Sequence, residues 1–238
     1  MKTERLRKLA ILDIDGTLTE TSEVDAACYL EALKDCFGFS DIETDWSLYA
    51  NTTDAGILDG IFQRRLNRSP SPDEIAAMQH RFLGYLQRAH SRNASAFSPV
   101  GGAKDFLTHL SSNKTWAPVI ATGCWAQSAH FKLQAAGLAI KCPLISSDDA
   151  ISREAILEKA IRTSQSFYVV ESFSRVVSLG DGVWDLEAAR RMILPFVGMA
   201  RGARADRLRR LGATQVLSDF TDINEVFKAL EEARTPEI

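Results

Sequence analysis

The sequence predicts an α/β fold: a parallel sheet with helices on both faces, interrupted by an inserted all-helical segment. Three observations carry this. From Ser98 onward, short apolar runs alternate with stretches of helical periodicity, the pattern of strands joined by crossover helices. A first apolar run, 8–12 (KLAIL), is set apart from the others by a stretch that includes a helical insertion of about 80 residues. The stretch between them carries helical stripes and few strand signals, and is too long to be a loop.

Taken in order, the 8–12 run stops abruptly at Asp13 and turns at Gly16, so it reads as a buried strand. Three helical stripes follow: Val24, Ala27, Cys28, Leu30, Leu33 and Phe37; then Ile57, Ile61 and Phe62; then Ile75, Met78, Phe82, Leu83 and Leu86. Ser71-Pro72-Asp73-Glu74 looks like a helix start. Beyond Ser98 the expected order is helix 102–110, strand 117–121, helix 126–136 ended by Gly137, strand 144–146, helix 153–162, strand 176–179 and helix 184–192. A short strand at 196–197, a helix including 206–211, an edge strand at 216–217 and a helix 223–233 complete the chain. The expected division is a discontinuous α/β core, 1–19 with 98–238, and a helical domain, 20–97. Ligands of open α/β sheets bind at the carboxyl ends of the strands, so this insertion should border the site.

Composition narrows the function classes. With 45% hydrophobic and 25% charged residues in 238, the chain is of globular type. The net charge of −3 gives no global basic field, and no nucleic-acid partner is expected. Basic residues cluster at 1–8 and 201–210; these read as a solvated terminus and helix face, with a polyanion site as the alternative. The four cysteines form no CxxC pair and read as reduced, mostly buried thiols, and zinc is not expected. No apolar run approaches a signal peptide or a membrane span, so a cytoplasmic protein with no membrane partner is expected.

The chemistry-bearing residues lie at strand ends. Asp13-Ile14-Asp15-Gly16-Thr17 places two carboxylates where the first strand opens into a loop. Burying them is costly, and a divalent cation would remove their repulsion; magnesium suits such oxygen ligands. The alternative is a turn that happens to carry two aspartates. Gly180-Asp181-Gly182-Val183-Trp184-Asp185 repeats the logic, with Asp185 one helical turn beyond Asp181, although aspartates at a helix N-terminus also satisfy its dipole. Thr122-Gly123 follows the apolar run 117–121 and offers a hydroxyl and amides to a phosphate oxygen, or a helix cap. Arg153 opens a helix after residues 146–152 and could neutralise a carboxylate or phosphate, or stand in solvent.

In that order, DIDGT, a helical insertion, a strand ending at Thr122, a basic residue and GDGVWD, the chain resembles a haloacid dehalogenase (HAD) superfamily hydrolase of the phosphatase type, with a helical cap like those of phosphoglycolate phosphatases and beta-phosphoglucomutases. The resemblance covers nearly the whole chain; the first and last motifs are specific, and the middle two gain meaning from their place. It implies a HAD-like Rossmannoid core and a Mg2+-dependent phosphatase acting through an aspartyl-phosphate. Asp13 matches the nucleophile and Asp15 the general acid/base, whose main-chain carbonyl also binds the metal. Asp181 and Asp185 match the remaining metal positions, and Thr122, with Gly123, the phosphate-binding turn. Arg153 departs from the usual lysine, and Lys141 and Lys159 remain alternatives; a planar guanidinium does not freely replace an ammonium.

Caps of this family shape specificity and exclude water. Thr53 and Asp54, in the polar cluster 51–54, are candidates for substrate specificity, with helix capping equally open. Glu20, Thr21 and Glu23 lie on the hinge side. Trp125 and Trp184 flank the motifs, with packing favoured over stacking. The expected substrate is a small phosphorylated metabolite; the oligomeric state is not legible. A phosphomutase on the same scaffold is the main alternative, and a non-catalytic phosphate-binding regulatory protein the rival from another class. A phosphonate hydrolase would need a cap lysine, and only Lys34 lies between Thr21 and Phe97.

Overall fold

Every residue of the first strand after Lys8 is apolar and buried on both faces, the pattern of a central strand in a parallel sheet. The computed structural model describes residues 7–237. Its strands are β1 (Lys8–Leu12), β2 (Trp116–Ala121), β3 (Leu144–Ile145), β4 (Arg175–Gly180), β5 (Phe196–Met199) and β6 (Gln215–Leu217). They form one sheet in the order β3-β2-β1-β4-β5-β6, all neighbours parallel. The chain moves outward from β1 through β2 to β3, then returns to β4 on the other side. That reversal leaves a crevice at the carboxyl end of β1, where α/β sheets bind ligands.

Alternation along the strands divides the core in two. Ala10 and Leu12 of β1 pack with α4 (Ala103–Ser112), α5 (Ala126–Ala135) and α9 (Ile223–Glu232). Leu9 and Ile11 face the other way, toward α6 (Arg153–Tyr168) and α7 (Val183–Arg191). Helix α8 (Gly202–Arg210) packs Leu208 against Phe196. Pro118 is tolerated inside β2 because β3 pairs only with Ile120 and Ala121; at Pro118 that side has no ladder to interrupt.

Between β1 and α4 lie α1 (Ser22–Phe37), α2 (Asp54–Leu66) and α3 (Pro72–Arg92), with short 3-10 turns at Trp46–Leu48 and Ala94–Phe97. The expected start of α3 is a capping box: Ser71 Oγ accepts from the Glu74 amide at 3.3 Å, and Glu74 accepts from the Ser71 amide at 2.7 Å. The two connecting segments run side by side, with the Glu20 amide on the Ser98 carbonyl at 2.9 Å and the Val100 amide on Leu18 at 3.0 Å. The insert's apolar core does not close on itself. Tyr29, Leu33, Phe62 and Phe82 pack together with Trp125, and Phe131 of α5 adds its partly buried ring.

Two details differ from the sequence expectation. Helix α6 runs six residues past Arg162, to Tyr168, because Ser164 continues the buried stripe of Ile156, Leu157 and Ala160 without an apolar side chain to signal it. The basic stretch 1–8 falls mostly outside the described residues; within them Lys8 pairs with Glu231 at 2.6 Å. Among the described residues no helix is long and apolar enough to cross a membrane.

Candidate active site

The loop leaving β1 builds the first wall of the site. Gly16 has φ +77, and a Cβ there would collide with the Asp181 carboxylate and lie 2.9 Å from Ser22 Oγ. A glycine is therefore required both by the left-handed turn and by the approach of β4's terminal residues. The strand ends at Leu12, so strict alternation no longer governs Asp13 and Asp15, and their carboxylates diverge into two clusters. The sequence-level picture of one cation relieving both aspartates is thereby corrected for the Asp15 side chain.

The first cluster holds Asp13, Asp181 and Asp185, whose carboxylate oxygens lie within 4.8 Å of one another. Arg153 closes it: Nη1 donates to Asp185 Oδ1 at 2.9 Å and to Asp13 Oδ1 at 3.3 Å, while Nε donates to the Thr52 carbonyl of the insert at 3.1 Å. Lys141 is exposed, and Lys159 pairs with Asp149 at 2.8 Å, so neither reaches Asp13. Gly123 permits the arginine to pass, since a Cβ there would sit 2.5 Å from its Nη2. Asp185 also accepts from the Gly182 amide at 3.0 Å, while Asp181 faces the Arg204 guanidinium at 3.6 Å. Burial, then the charge of Asp185, pushes the Asp13 carboxyl up to about 7, against the pull of Arg153. Burial lifts Asp185 too, with Arg153 opposing. Burial followed by Asp185 and Asp13 lifts Asp181 well above the usual carboxylate range.

The second cluster surrounds Asp15 and was not anticipated from the sequence. Lys132 of α5 is fully buried, with Nζ 2.5 Å from Asp15 Oδ2, 2.5 Å from Asp25 Oδ1 of α1 and 3.0 Å from Cys124 Sγ. Cys124 Sγ donates to Asp15 Oδ2 at 2.8 Å, and the Thr21 hydroxyl donates to Asp15 Oδ1. Burial raises Asp15, but Lys132, Cys124 and Thr21 outweigh it and hold the carboxyl below its ordinary value. Asp25 goes up to about 6, burial outweighing its share of Lys132. Lys132 itself is held well above its ordinary value, its two aspartates overcoming desolvation. A signal for Lys132 was present: it falls on the buried side of α5 with Ala129 and Leu133, where a solvated lysine does not belong.

Thr122 is fully buried; its Oγ1 accepts from the Cys124 amide at 3.2 Å, and α5 begins only at Ala126, so Thr122 is not that helix's cap. Of the two open readings of the 53–54 pair, capping is seen for Thr53, and both residues also bond to the sheet layer. Thr53 caps α2, accepting from the Gly56 amide at 3.0 Å, and its hydroxyl donates to the Ile151 carbonyl at 2.6 Å. Asp54 Oδ2 accepts from the Trp125 amide at 2.9 Å, and the Asp54 amide donates to the Gly123 carbonyl at 2.7 Å. These bonds span the insert and the sheet layer. They border a cavity of about 410 Å³ lined by Asp13 and Asp181 of the first cluster, Asp15 and Asp25 of the second, Thr53 and Asp54, and Tyr29, Trp46 and Trp184. Arg204 and Arg207 of α8 line it too, so part of the basic stretch read as a solvated face borders the site. Trp125 is buried and stacks on Tyr29 at 5.9 Å, whereas Trp184 reaches the cavity wall. Glu20 stays exposed beside Arg201 at 3.7 Å.

The geometry is that of a strand-end acidic site under a helical insert, and comparison with known proteins places it. No curated protein sequence matches the chain. Among solved structures, a hydrolase from Pseudomonas syringae superposes with TM-score 0.69 at 21% identity, covering 94% of this chain and 98% of that one. A protein provisionally named beta-phosphoglucomutase from Bacteroides vulgatus gives 0.67 at 15% identity, covering 97% and 90%. CbbY from Rhodobacter sphaeroides, in complex with xylulose-(1,5)bisphosphate, gives 0.63 at 19% identity, covering 91% and 96%. These share the fold. The sequence model of haloacid dehalogenase-like hydrolases matches residues 7–192, spanning β1 through α7 and both acidic motifs, and the chain therefore belongs to the haloacid dehalogenase-like hydrolases.

Proposed function

We propose that the protein is a magnesium-dependent phosphatase that hydrolyses a small phosphate monoester through an aspartyl-phosphate on Asp13. The observation that carries this reading is the Asp13 carboxylate at the carboxyl end of β1, inside a cavity, gripped by Arg153 and crowded by two further carboxylates. Three clustered carboxylates, each with its proton affinity raised by burial and two of them also by a neighbouring carboxylate, are a donor set in want of a cation, and all-oxygen ligation suits magnesium. Asp13, Asp181 and Asp185 would hold it, with the Asp15 main-chain carbonyl as the further ligand implied by the family. When bound, the ion supplies neutralisation of the phosphoryl oxygens and of the carboxylates themselves.

The chain's own groups do the rest. The Asp13 carboxylate attacks phosphorus, the ester P–O bond breaks, and Asp15, whose carboxylate must first take up a proton beside the phosphate dianion, passes that proton to the leaving alkoxide. Water then attacks phosphorus of the aspartyl-phosphate, Asp15 takes its proton, and Asp13 departs as carboxylate with inorganic phosphate. The Thr122 hydroxyl, the turn amides around Gly123 and Arg153 stabilise charge on the transferring group. Residues 20–97 act as a cap, with Thr53 and Asp54 at its substrate-facing edge. The cavity of about 410 Å³ fits a small phosphorylated metabolite, and CbbY, of the same fold, binds one such compound. The free cysteines fit a reducing compartment.

The test is phosphate release from a panel of small phosphate esters with magnesium, for wild type and Asp13→Asn. Release that vanishes with EDTA and in the variant is expected. Release that persists in Asp13→Asn, or none from any ester, would sink the reading. An isomerised ester without free phosphate would point to a phosphomutase.

A further inference from the structure

The buried Lys132 does more than fill space in α5. An ammonium has three N–H donors, and each has one partner here: Asp15 on the loop after β1, Asp25 on α1 of the insert, and the Cys124 thiol. Nothing of the side chain is exposed. Asp15 accepts three bonds, from Thr21 on one carboxylate oxygen and from Lys132 and Cys124 on the other, which leaves the first oxygen one acceptor site. Desolvating an ammonium and two carboxylates is expensive, and apolar side chains would fill the same volume at less cost, so the cluster contributes little to stability for what it takes to bury. What it does contribute is orientation. Asp15 cannot turn without giving up a bond to Lys132, and α1 cannot move away without stripping Asp25 from the same ammonium. Lys132 thus joins three parts of the chain, across sequence separations of 117 and 107 residues.

We propose that Lys132, with Asp25 as its partner on the insert, is a positioning residue that aims the Asp15 carboxylate at the reacting phosphate and ties that aim to the seating of α1. This rests on the proposed role of Asp15 as acid and base. Lys132 itself touches neither phosphate nor leaving group. The consequence is selective. Forming the aspartyl-phosphate from an ester with a good leaving group, such as p-nitrophenyl phosphate, needs no proton from Asp15, whereas expelling an alkyl alkoxide and activating water both need Asp15 in place.

The experiment is rapid-mix kinetics on Lys132→Met and Asp25→Asn, with magnesium and full-length protein. For Lys132→Met, the first turnover of p-nitrophenyl phosphate should stay within about threefold of wild type, so that a burst of nitrophenolate appears. The steady-state rate that follows should fall by about 100-fold, the scale of a lost general acid–base, and KM for p-nitrophenyl phosphate should fall with it because the aspartyl-phosphate accumulates; for an alkyl phosphate, where both steps need Asp15, kcat should fall by a similar factor with KM nearly unchanged. Asp25→Asn should show the same split, smaller. Equal loss in the burst and in steady state, or no loss, overturns the proposal, since a merely structural lysine would weaken every step alike. If Lys132→Met does not fold, Lys132→Gln is read by the same burst-to-steady-state ratio, and an unchanged ratio there overturns it as well. Failure of the underlying phosphatase reading looks different: wild type itself then releases nothing from any ester.

Discussion

Replacing Asp13 by Asn should make the metal-free protein more stable at alkaline pH while abolishing its proposed activity. Asn keeps the shape and removes the ionisation. In the native protein burial and Asp185 raise the Asp13 carboxyl from 3.8 to about 7. A group bound more tightly to its proton in the folded state stabilises most at low pH, and that contribution drains away as pH rises through the folded value. From pH 5 to pH 8 Asp13 should therefore remove about 2–3 kcal/mol from the metal-free wild type. Asp181 and Asp185 are shifted in the same direction and remain in both proteins. Asp15 is shifted downward, so its contribution is lost only in acid, below its ordinary value, and stays constant across this window. Lys132, shifted upward, is likewise constant there. The assay is urea denaturation in EDTA at pH 5 and pH 8. The stability of Asp13→Asn relative to wild type should rise by roughly 2 kcal/mol between them. Adding magnesium at pH 8 should restore the wild type by mass action, and the variant less. A relative stability that does not change with pH would falsify the claim that Asp13 is held protonated by burial and by Asp185.

Three further outcomes follow from the same geometry. Arg153→Lys should lower kcat/KM for phosphate release by about 10- to 100-fold, because one ammonium cannot serve Asp13, Asp185 and the Thr52 carbonyl as the guanidinium does; a variant as active as wild type would contradict this. Thr53→Val removes the cap of α2 and the bond to Ile151, and should cost about 1–2 kcal/mol, seen as a thermal midpoint lower by about 2–8 °C. Gly123→Ala puts a methyl 2.5 Å from Arg153 Nη2 and should displace the guanidinium from Asp13, cutting kcat by about 100-fold; unchanged turnover would show that Arg153 has room to yield.

Much of the fold was legible because its signals are local. An apolar run that stops at an aspartate, helical stripes with caps such as Ser71 with Glu74, and strand-helix alternation after Ser98 each depend on neighbours a few residues away. The positions of Asp13, Thr122 and Asp181 at strand ends followed from the same reading, and the resemblance to the family rested on the motifs that stand there. Helix α6 was read too short because a buried serine, Ser164, stands where the pattern calls for an apolar residue.

The sequence by itself determined which segments are strands and helices, and which carboxylates stand at their ends, since those properties are set by side-chain periodicity and turn chemistry along the chain. Tertiary structure alone decided which basic residue meets which acid. Arg153 reaches Asp13 across 140 residues while Lys159 settles on nearby Asp149. It also decided that Thr53 both caps a helix and binds the sheet layer, and that Lys132 leaves water altogether to hold Asp15 and Asp25. The reason is that burial of a charge depends on what the whole fold packs around it, and a sequence pattern that looks a few residues either way carries no record of a partner more than a hundred residues distant.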